Sequence, residues 1–110
     1  MKPNVLCVVV IAIQLLPVAA AEEPSVGLTF EKDIRPIFRV HCYDCHGATD
    51  DISGGLDLRL VHRMTSGGES GPAIVPGSPD ESYLVQRLRD GEMPPGPSGL
   101  AEKDIATIER

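Results

Sequence analysis

The chain has few large aromatic side chains: its 110 residues include no tryptophan, two phenylalanines and two tyrosines. A domain of this size buries only a small core, and such domains often depend on a staple or a cofactor for stability. The composition therefore predicts one small domain and favours, weakly, a core that is completed by a bound group.

An excess of positive charge is also missing. The chain carries 10 lysines and arginines against 16 aspartates and glutamates, a formal net charge of −6. Nucleic-acid binding is therefore not expected, because nothing indicates a basic surface for phosphates. The acidic balance instead favours a protein partner with a basic docking patch.

Patterns typical of enzymes are absent as well. The spacing of Gly67, Gly68 and Gly71 is not a phosphate loop, because no Lys-Ser/Thr pair follows them and no strand is evident before them. We find no nucleophile with a neighbouring base and no acid–base pair of carboxylates. We therefore expect a protein that is not itself an enzyme.

Long apolar runs are absent except near the N-terminus. Lys2 precedes an apolar run over 5–13, and the small residues Ala19-Ala20-Ala21 follow Pro17. This order is typical of a secretory signal, so we expect a leader over 1–21 and a periplasmic or secreted protein. The alternative is an uncleaved membrane anchor, although the run is short for a membrane span. Membrane contact is expected only in that case.

The rest of the chain divides into a flexible segment over 22–28 and a domain over 29–110. If the leader is removed, Cys7 goes with it, and two cysteines remain. In an oxidising compartment a structural disulfide more often joins distant parts of a small domain than neighbours in one turn.

Cys42, Cys45 and His46 form the pattern Cys-x-x-Cys-His, the attachment signature of a c-type haem. Two thiols one turn apart can add to the two vinyl groups of haem, and the next residue can then reach the iron as an axial ligand. Two alternatives remain at this point. The cysteines are also compatible with a reactive dithiol or with half of a zinc site, although zinc needs four ligands.

A second axial ligand would have to come from elsewhere in the chain. Met93 is the favoured candidate, because it lies on a proline-rich loop between two predicted helices, and a thioether suits low-spin iron. The alternative is that Met93 only fills the core. The other candidates are His41, which should point away, and His62 and Met64, which lie in a polar stretch. Arg59 is expected to be solvated, with pairing to a haem propionate as the less favoured role.

The apolar pattern predicts short helices joined by long loops. Phe30, Ile34, Ile37 and Phe38 have helical spacing after a capping Thr29, and Pro36 either kinks this helix or begins a second one. Residues 56–60 alternate like a strand but can equally lead into a helical turn over 60–64.

The second half of the chain contains two further predicted helices. Ser78-Pro79-Asp80-Glu81 reads as a capping box at the start of a helix that ends at Gly91. Its predicted face consists of Tyr83, Leu84, Arg87 and Leu88. A last helix begins near Leu100 and has Ile105 and Ile108 on its apolar side.

Together these motifs resemble the planctomycete-type cytochrome c domain, a class I-like c-type cytochrome. The resemblance covers nearly all of 29–110 and rests on the following stretches: Phe30-Glu31-Lys32-Asp33-Ile34-Arg35-Pro36-Ile37, the Cys42–His46 motif, Ser53-Gly54-Gly55-Leu56-Asp57-Leu58-Arg59, Gly67-Gly68-Glu69-Ser70-Gly71-Pro72, Pro76-Gly77 and Glu92-Met93-Pro94-Pro95.

The resemblance implies a small all-α fold of three to five short helices, with long Gly/Pro-rich loops, wrapped around a covalently bound haem. It implies haem c attached at Cys42 and Cys45, with His46 and Met93 as the iron ligands. Similar domains usually continue the last helix through a tryptophan. This chain departs from them, and we expect Arg110 to be the end of a fragment or of a shortened domain.

The expected function is one-electron transfer, as the N-terminal module of a larger secreted protein. One alternative is the electron-accepting or haem-sensing domain of a larger oxidoreductase. The other is the dithiol or zinc module described above.

Overall fold

The computed structural model describes residues 27–110. The expected leader, Cys7 within it, and most of the segment over 22–28 lie outside the described residues. Within 27–110 the chain is helical and has no strand, apart from one isolated bridge between Gly68 and Gly71. The prediction of an all-α fold is therefore confirmed. No helix in this part of the chain has the length and apolar character needed to cross a membrane.

The described residues form five short α-helices, which we number α1 to α5 in chain order. They are α1 (Arg35–His41), α2 (Tyr43–His46), α3 (Val61–Ser66), α4 (Tyr83–Arg89) and α5 (Glu102–Glu109). A π-helical turn, Phe30–Ile34, precedes α1, and two 3₁₀ turns, Ser53–Gly55 and Pro79–Glu81, precede α3 and α4.

The first helical segment begins where the sequence predicts. The Thr29 hydroxyl accepts a hydrogen bond from the Lys32 backbone N–H at 3.3 Å, and the Thr29 N–H donates to the Asp33 carboxylate at 2.6 Å. Pro36 lies in the first turn of α1. It therefore begins a second piece of helix, where its missing N–H costs no hydrogen bond.

The core is small and draws on all parts of the described chain. Phe38 on α1 is almost fully buried, and the predicted stripe of Phe30, Ile34 and Ile37 packs beside it. The remaining buried apolar residues are Leu58, Met64, Ala73, Leu84, Val85, Leu88 and Leu100. No aromatic residue other than Phe38 is buried among the described residues, which agrees with the thin aromatic composition.

The alternating segment over 56–60 is extended but pairs with no strand. The Leu58 N–H donates to the His46 carbonyl oxygen at 3.0 Å, which ties this segment to the end of α2. It then leads into α3, so the helical alternative is the one observed.

The predicted capping box at Ser78 is wrong. The Ser78 side chain caps no helix, Pro79–Glu81 forms a 3₁₀ turn, and α4 begins only at Tyr83. The buried Ser82 hydroxyl explains the shift, because it accepts from the Val75 N–H at 3.0 Å and donates to the Ser78 carbonyl at 2.9 Å. The predicted helix end is correct, since Gly91 follows α4 with a φ of 69°.

The last helix closes the core against the first helical segment. Ile105 and Ile108 pack on the core as predicted, and α5 lies against both α4 and the π-helical turn. Arg89 on α4 adds ion pairs to Glu109 and to Asp80, each at 2.6 Å.

Candidate functional site

One cavity brings the predicted functional residues together. It has a volume of about 340 Å³, and Cys42, Cys45, His46 and Met93 all lie on its wall. The rest of the wall is mostly apolar, and the predicted face of α4 forms one side of it. Its other lining residues are Phe38, His41, Ser53, Gly54, Leu56, Leu58, Gly68, Ser70, Gly71, Ala73, Tyr83, Leu84, Arg87, Leu88, Pro94 and Pro95.

The turn between the two cysteines places three reactive groups on one wall. The N–H groups of Cys45 and His46 both donate to the Cys42 carbonyl, at 3.2 and 2.9 Å. This single helical turn spans the whole motif, so both thiols and the imidazole face the same cavity. The two thiols are free and form no disulfide with each other.

The His46 imidazole is oriented by a backbone hydrogen bond. Its Nδ1 lies 3.1 Å from the carbonyl oxygen of Leu56. Because a carbonyl oxygen can only accept, Nδ1 carries the proton, and the lone pair of Nε2 stays available for a metal. Hydrogen bonds of this kind fix the ring and increase the basicity of a ligating histidine.

The Cys42 thiol differs from the nucleophile of a reactive dithiol. Burial, with a smaller contribution from the neighbouring Cys45, raises the pKa of Cys42 to about 11. A nucleophilic cysteine needs a lowered pKa. A zinc site also lacks support, because the described residues contain no cluster of three or more His, Cys, Asp or Glu side chains suited to a metal ion.

Met93 is held by the end of α4. The N–H groups of Glu92 and Met93 both donate to the Arg87 carbonyl, at 3.0 and 3.2 Å. The Arg87 guanidinium pairs with Glu92 and lies over the Tyr83 ring, 5.0 Å from its centroid. Met93 is 39% exposed, so it is not the core plug of the alternative interpretation.

The other candidate ligands are placed less favourably, with one exception. Met64 lies in a polar stretch of the sequence, but its side chain is buried in the core and does not line the cavity. His62 is exposed and also lies away from it. His41, which we expected to point away, lies on the cavity wall.

Arg59 is exposed, as expected, but its guanidinium is occupied by an ion pair. Its guanidinium donates to both carboxylate oxygens of Asp57, at 2.9 and 2.8 Å, and it does not line the cavity. Arg63 donates to the same carboxylate. The hydrogen bond from Arg59 holds the pKa of the buried Asp57 carboxyl well below its usual range.

Sequence reasoning missed Asp57 and Arg87 as organising residues. The only available signal for Asp57 was an acid two residues before an arginine in an alternating segment. For Arg87 the predicted helix face was correct, but nothing in the sequence indicated that its carbonyl would hold the Met93 loop.

The residues present fit a covalently attached haem. Two unlinked thiols, an imidazole with a free Nε2 and a thioether lie on one cavity with apolar walls. Apolar walls suit a porphyrin, the thiols suit its vinyl groups, and a nitrogen and a sulfur suit the axial positions of iron.

Comparison with known proteins gives one match. A family model described as Planctomycete cytochrome C matches residues 42–97, which include all four predicted site residues and most of the cavity wall. No curated protein and no solved structure matches the chain.

Proposed function

Because the chain belongs to the planctomycete cytochrome C family, we propose that it is a one-electron carrier with haem c attached at Cys42 and Cys45. His46 and Met93 are the proposed axial ligands. The observation that carries this proposal is the common cavity, which is lined by both thiols, the oriented imidazole and the thioether. Membership of a c-type cytochrome family implies a covalently bound haem and its iron.

The bound haem would supply the ferric/ferrous couple, and the chain's own residues do the rest. The Leu56 carbonyl keeps the His46 proton on Nδ1, so that Nε2 would be free to bind the iron. The Arg87 carbonyl anchors the loop that carries Met93. Phe38, Leu84 and Leu88 form part of the apolar wall of the cavity, and an apolar shell of this kind would limit the access of water and tune the potential of the bound group.

The proposal also covers the cellular location of the domain and its redox partner. Cytochrome c domains are typically extracytoplasmic, and the leader pattern at 1–21 supports a periplasmic or secreted protein. We propose that the domain works as the N-terminal module of a larger secreted protein and passes electrons to a partner with a basic docking patch.

Covalent attachment is the first property to measure. The full chain is expressed in a host with a periplasmic haem-attachment system, denatured, separated on a gel and stained for haem. We expect the haem stain to remain with the chain, and to be lost when Cys42 and Cys45 are both replaced by alanine. Cys7→Ala is the matched control and should keep the stain.

Two outcomes would contradict the proposal. A folded chain without covalent haem would favour the dithiol and zinc interpretations instead. Cys42 and Cys45 would then be assayed for zinc binding and for disulfide exchange. Haem that survives the loss of both thiols would show that attachment does not occur at this motif.

A further inference from the structure

A second cavity lies on the other side of the attachment turn. It has a volume of about 410 Å³ and shares no lining residue with the first cavity. Tyr43, which stands between the two cysteines in sequence, forms part of its wall. The remaining lining residues are Arg35, Arg39, Arg59, Leu60 and Arg63.

The charge of this cavity is opposite to that of the whole chain. Four of the seven arginines in an acidic protein converge on it. Two acidic side chains form ion pairs with them: Asp57 pairs with Arg59 and Arg63, and Glu31 pairs with Arg35 at 2.7 Å. Asp50 adds a weaker electrostatic interaction with Arg59. Arg39 is exposed and makes no ion pair with any described residue. The cavity therefore keeps a local surplus of positive charge.

Two buried polar atoms of the same residues lack a hydrogen-bond partner. They are Nε of Arg35 and the hydroxyl oxygen of Tyr43. A guanidinium nitrogen can only donate, and a phenol also has a proton to donate, so the group that would satisfy both is an acceptor. Buried donors without partners are costly, and an acceptor held inside the cavity would remove that cost.

The guanidinium groups are accessible to a ligand even though these two atoms are not. The side chains of Arg35, Arg59 and Arg63 are 31%, 46% and 48% exposed. Arginine presents its donors in a planar fork that matches carboxylate and phosphate oxygens. An arriving anion would contact the exposed guanidinium groups first, and a shift of the Arg35 and Tyr43 side chains would then bring the two inner donors to it.

We propose that this arginine cavity is an oxyanion-binding site, which takes a carboxylate or a phosphate group beside the haem-attachment turn. The shared chemistry is a negatively charged oxygen pair held by Arg39 and Arg35, with the Tyr43 hydroxyl as an additional donor. Such a group can come from a free anion such as phosphate or from an acidic side chain of another protein.

The binding test uses the full haem-loaded chain at low ionic strength and isothermal titration calorimetry. Inorganic phosphate and a glutamate-rich peptide are titrated separately. We expect saturable binding of one equivalent of at least one of these ligands. Tighter binding of phosphate identifies a free anion as the source, and tighter binding of the peptide identifies a protein carboxylate.

Single substitutions locate the site. Arg39→Gln should weaken binding about tenfold, because it removes a charged donor. Tyr43→Phe should weaken binding about fivefold and leave the fold intact, because the hydroxyl has no partner to lose. Arg110→Gln is the matched control: it removes the same charge from an exposed residue outside the cavity and should change the affinity less than twofold.

Three results would overturn the proposal. They are the absence of binding by both ligands, an equal loss of affinity in Arg39→Gln and Arg110→Gln, and an affinity that neither Arg39→Gln nor Tyr43→Phe changes. Haem content is measured on the same samples, so failure here is distinguishable from failure of the proposed electron-carrier function.

Discussion

At the scale of single residues, each proposed haem-binding side chain depends on a neighbouring backbone group. The Leu56 carbonyl orients His46, the Cys42 carbonyl closes the turn that holds both thiols, and the Arg87 carbonyl anchors the loop of Met93. Every residue has a backbone carbonyl, so the amino-acid sequence does not indicate which carbonyls will make these contacts.

Met93 and Met64 provide a matched test of the second axial ligand. In the haem-loaded protein, Met93→Ala should abolish the low-spin ferric spectrum and lower the reduction potential, because it removes a thioether from the cavity wall. Met64→Leu should keep both properties, since Met64 is buried in the core and does not line the cavity. Optical spectra and potentiometry are the measurements.

A low-spin spectrum that persists in Met93→Ala would exclude Met93 as the ligand. His41 would then be the next residue to replace, because it is the other candidate on the cavity wall.

Asp57 should make stability depend on pH in the acid range. Its pKa is lowered in the folded protein, chiefly by the hydrogen bond from Arg59. Its stabilising contribution is therefore complete above the unfolded-state pKa near 4 and is lost as the pH falls towards the folded-state pKa. We expect Asp57→Asn to lower the free energy of unfolding at pH 7 by about 1–3 kcal/mol.

The same substitution should reduce the fall in stability between about pH 4 and pH 2. Denaturant unfolding of the haem-loaded protein at several pH values provides the measurement. Asp51→Asn is the control, because Asp51 is exposed and its carboxylate makes no ion pair within residues 27–110. If the free energy of unfolding depended on pH in the same way in both variants, Asp57 would not be the source of the acid-range stability.

At the scale of elements, the cavity wall depends on a close approach between two glycine-rich segments. Gly68 lies so close to the Gly54 carbonyl and the Leu56 N–H that it has no space for a side chain. The Glu69 N–H donates to the Gly54 carbonyl at 2.8 Å and joins the two segments. Gly54, Gly68 and Gly71 all line the cavity that contains the Cys42–His46 turn, so both glycine-rich segments shape its wall.

Alanine substitutions at Gly67 and Gly77 distinguish the cost of backbone strain from the cost of steric overlap. Their φ values are 79° and 77°, so alanine is strained at both positions. A Cβ at Gly67 would also overlap the Gly71 carbonyl, whereas a Cβ at Gly77 would meet nothing within 4 Å. We expect Gly77→Ala to cost about 1 kcal/mol and Gly67→Ala about 3 kcal/mol or more.

Denaturant unfolding measures the two costs, and haem content per chain measures the state of the cavity wall. Gly67→Ala should lower the haem content and Gly77→Ala should not. Similar behaviour of both variants would mean that the close approach to Gly71 does not matter.

At the scale of the whole molecule, the core and the cavity beside Cys42–His46 share residues. Phe38, Leu58, Ala73, Leu84 and Leu88 are buried core residues and also line the cavity. The apolar side chains that stabilise the fold are therefore the same ones that a haem would cover. A chain with so small a core should depend on the bound group for much of its stability.

The chain without haem should unfold at a much lower temperature than the haem-loaded chain. A loss of about 3 kcal/mol would lower the Tm of a domain of this size by more than about 10 °C. Circular dichroism melts of the two forms, prepared with and without a haem-attachment system, provide the comparison. Equal melting temperatures would show that the eight buried apolar residues are sufficient by themselves.

Local chemistry explains which features were predictable from the sequence. The helical stripe around Phe38, the cap at Thr29, the end of α4 at Gly91 and the Cys42–His46 turn depend on spacings of a few residues, and periodicity and capping act over that range. The capping box at Ser78 failed because the Ser82 side chain bonds to Val75, seven residues away, and moves the helix start. That competition is invisible in a local pattern.

The sequence alone determined the haem-attachment motif and most of the helical stripes, because each depends on residue type and short spacing, and its resemblance to a known family implied the helical class. Only the tertiary structure decided that Arg59 pairs with a buried Asp57, that Met64 belongs to the core and that four arginines meet beside Tyr43. These arrangements join residues from separate elements, and the packing of the helices and loops decides which charges and side chains meet.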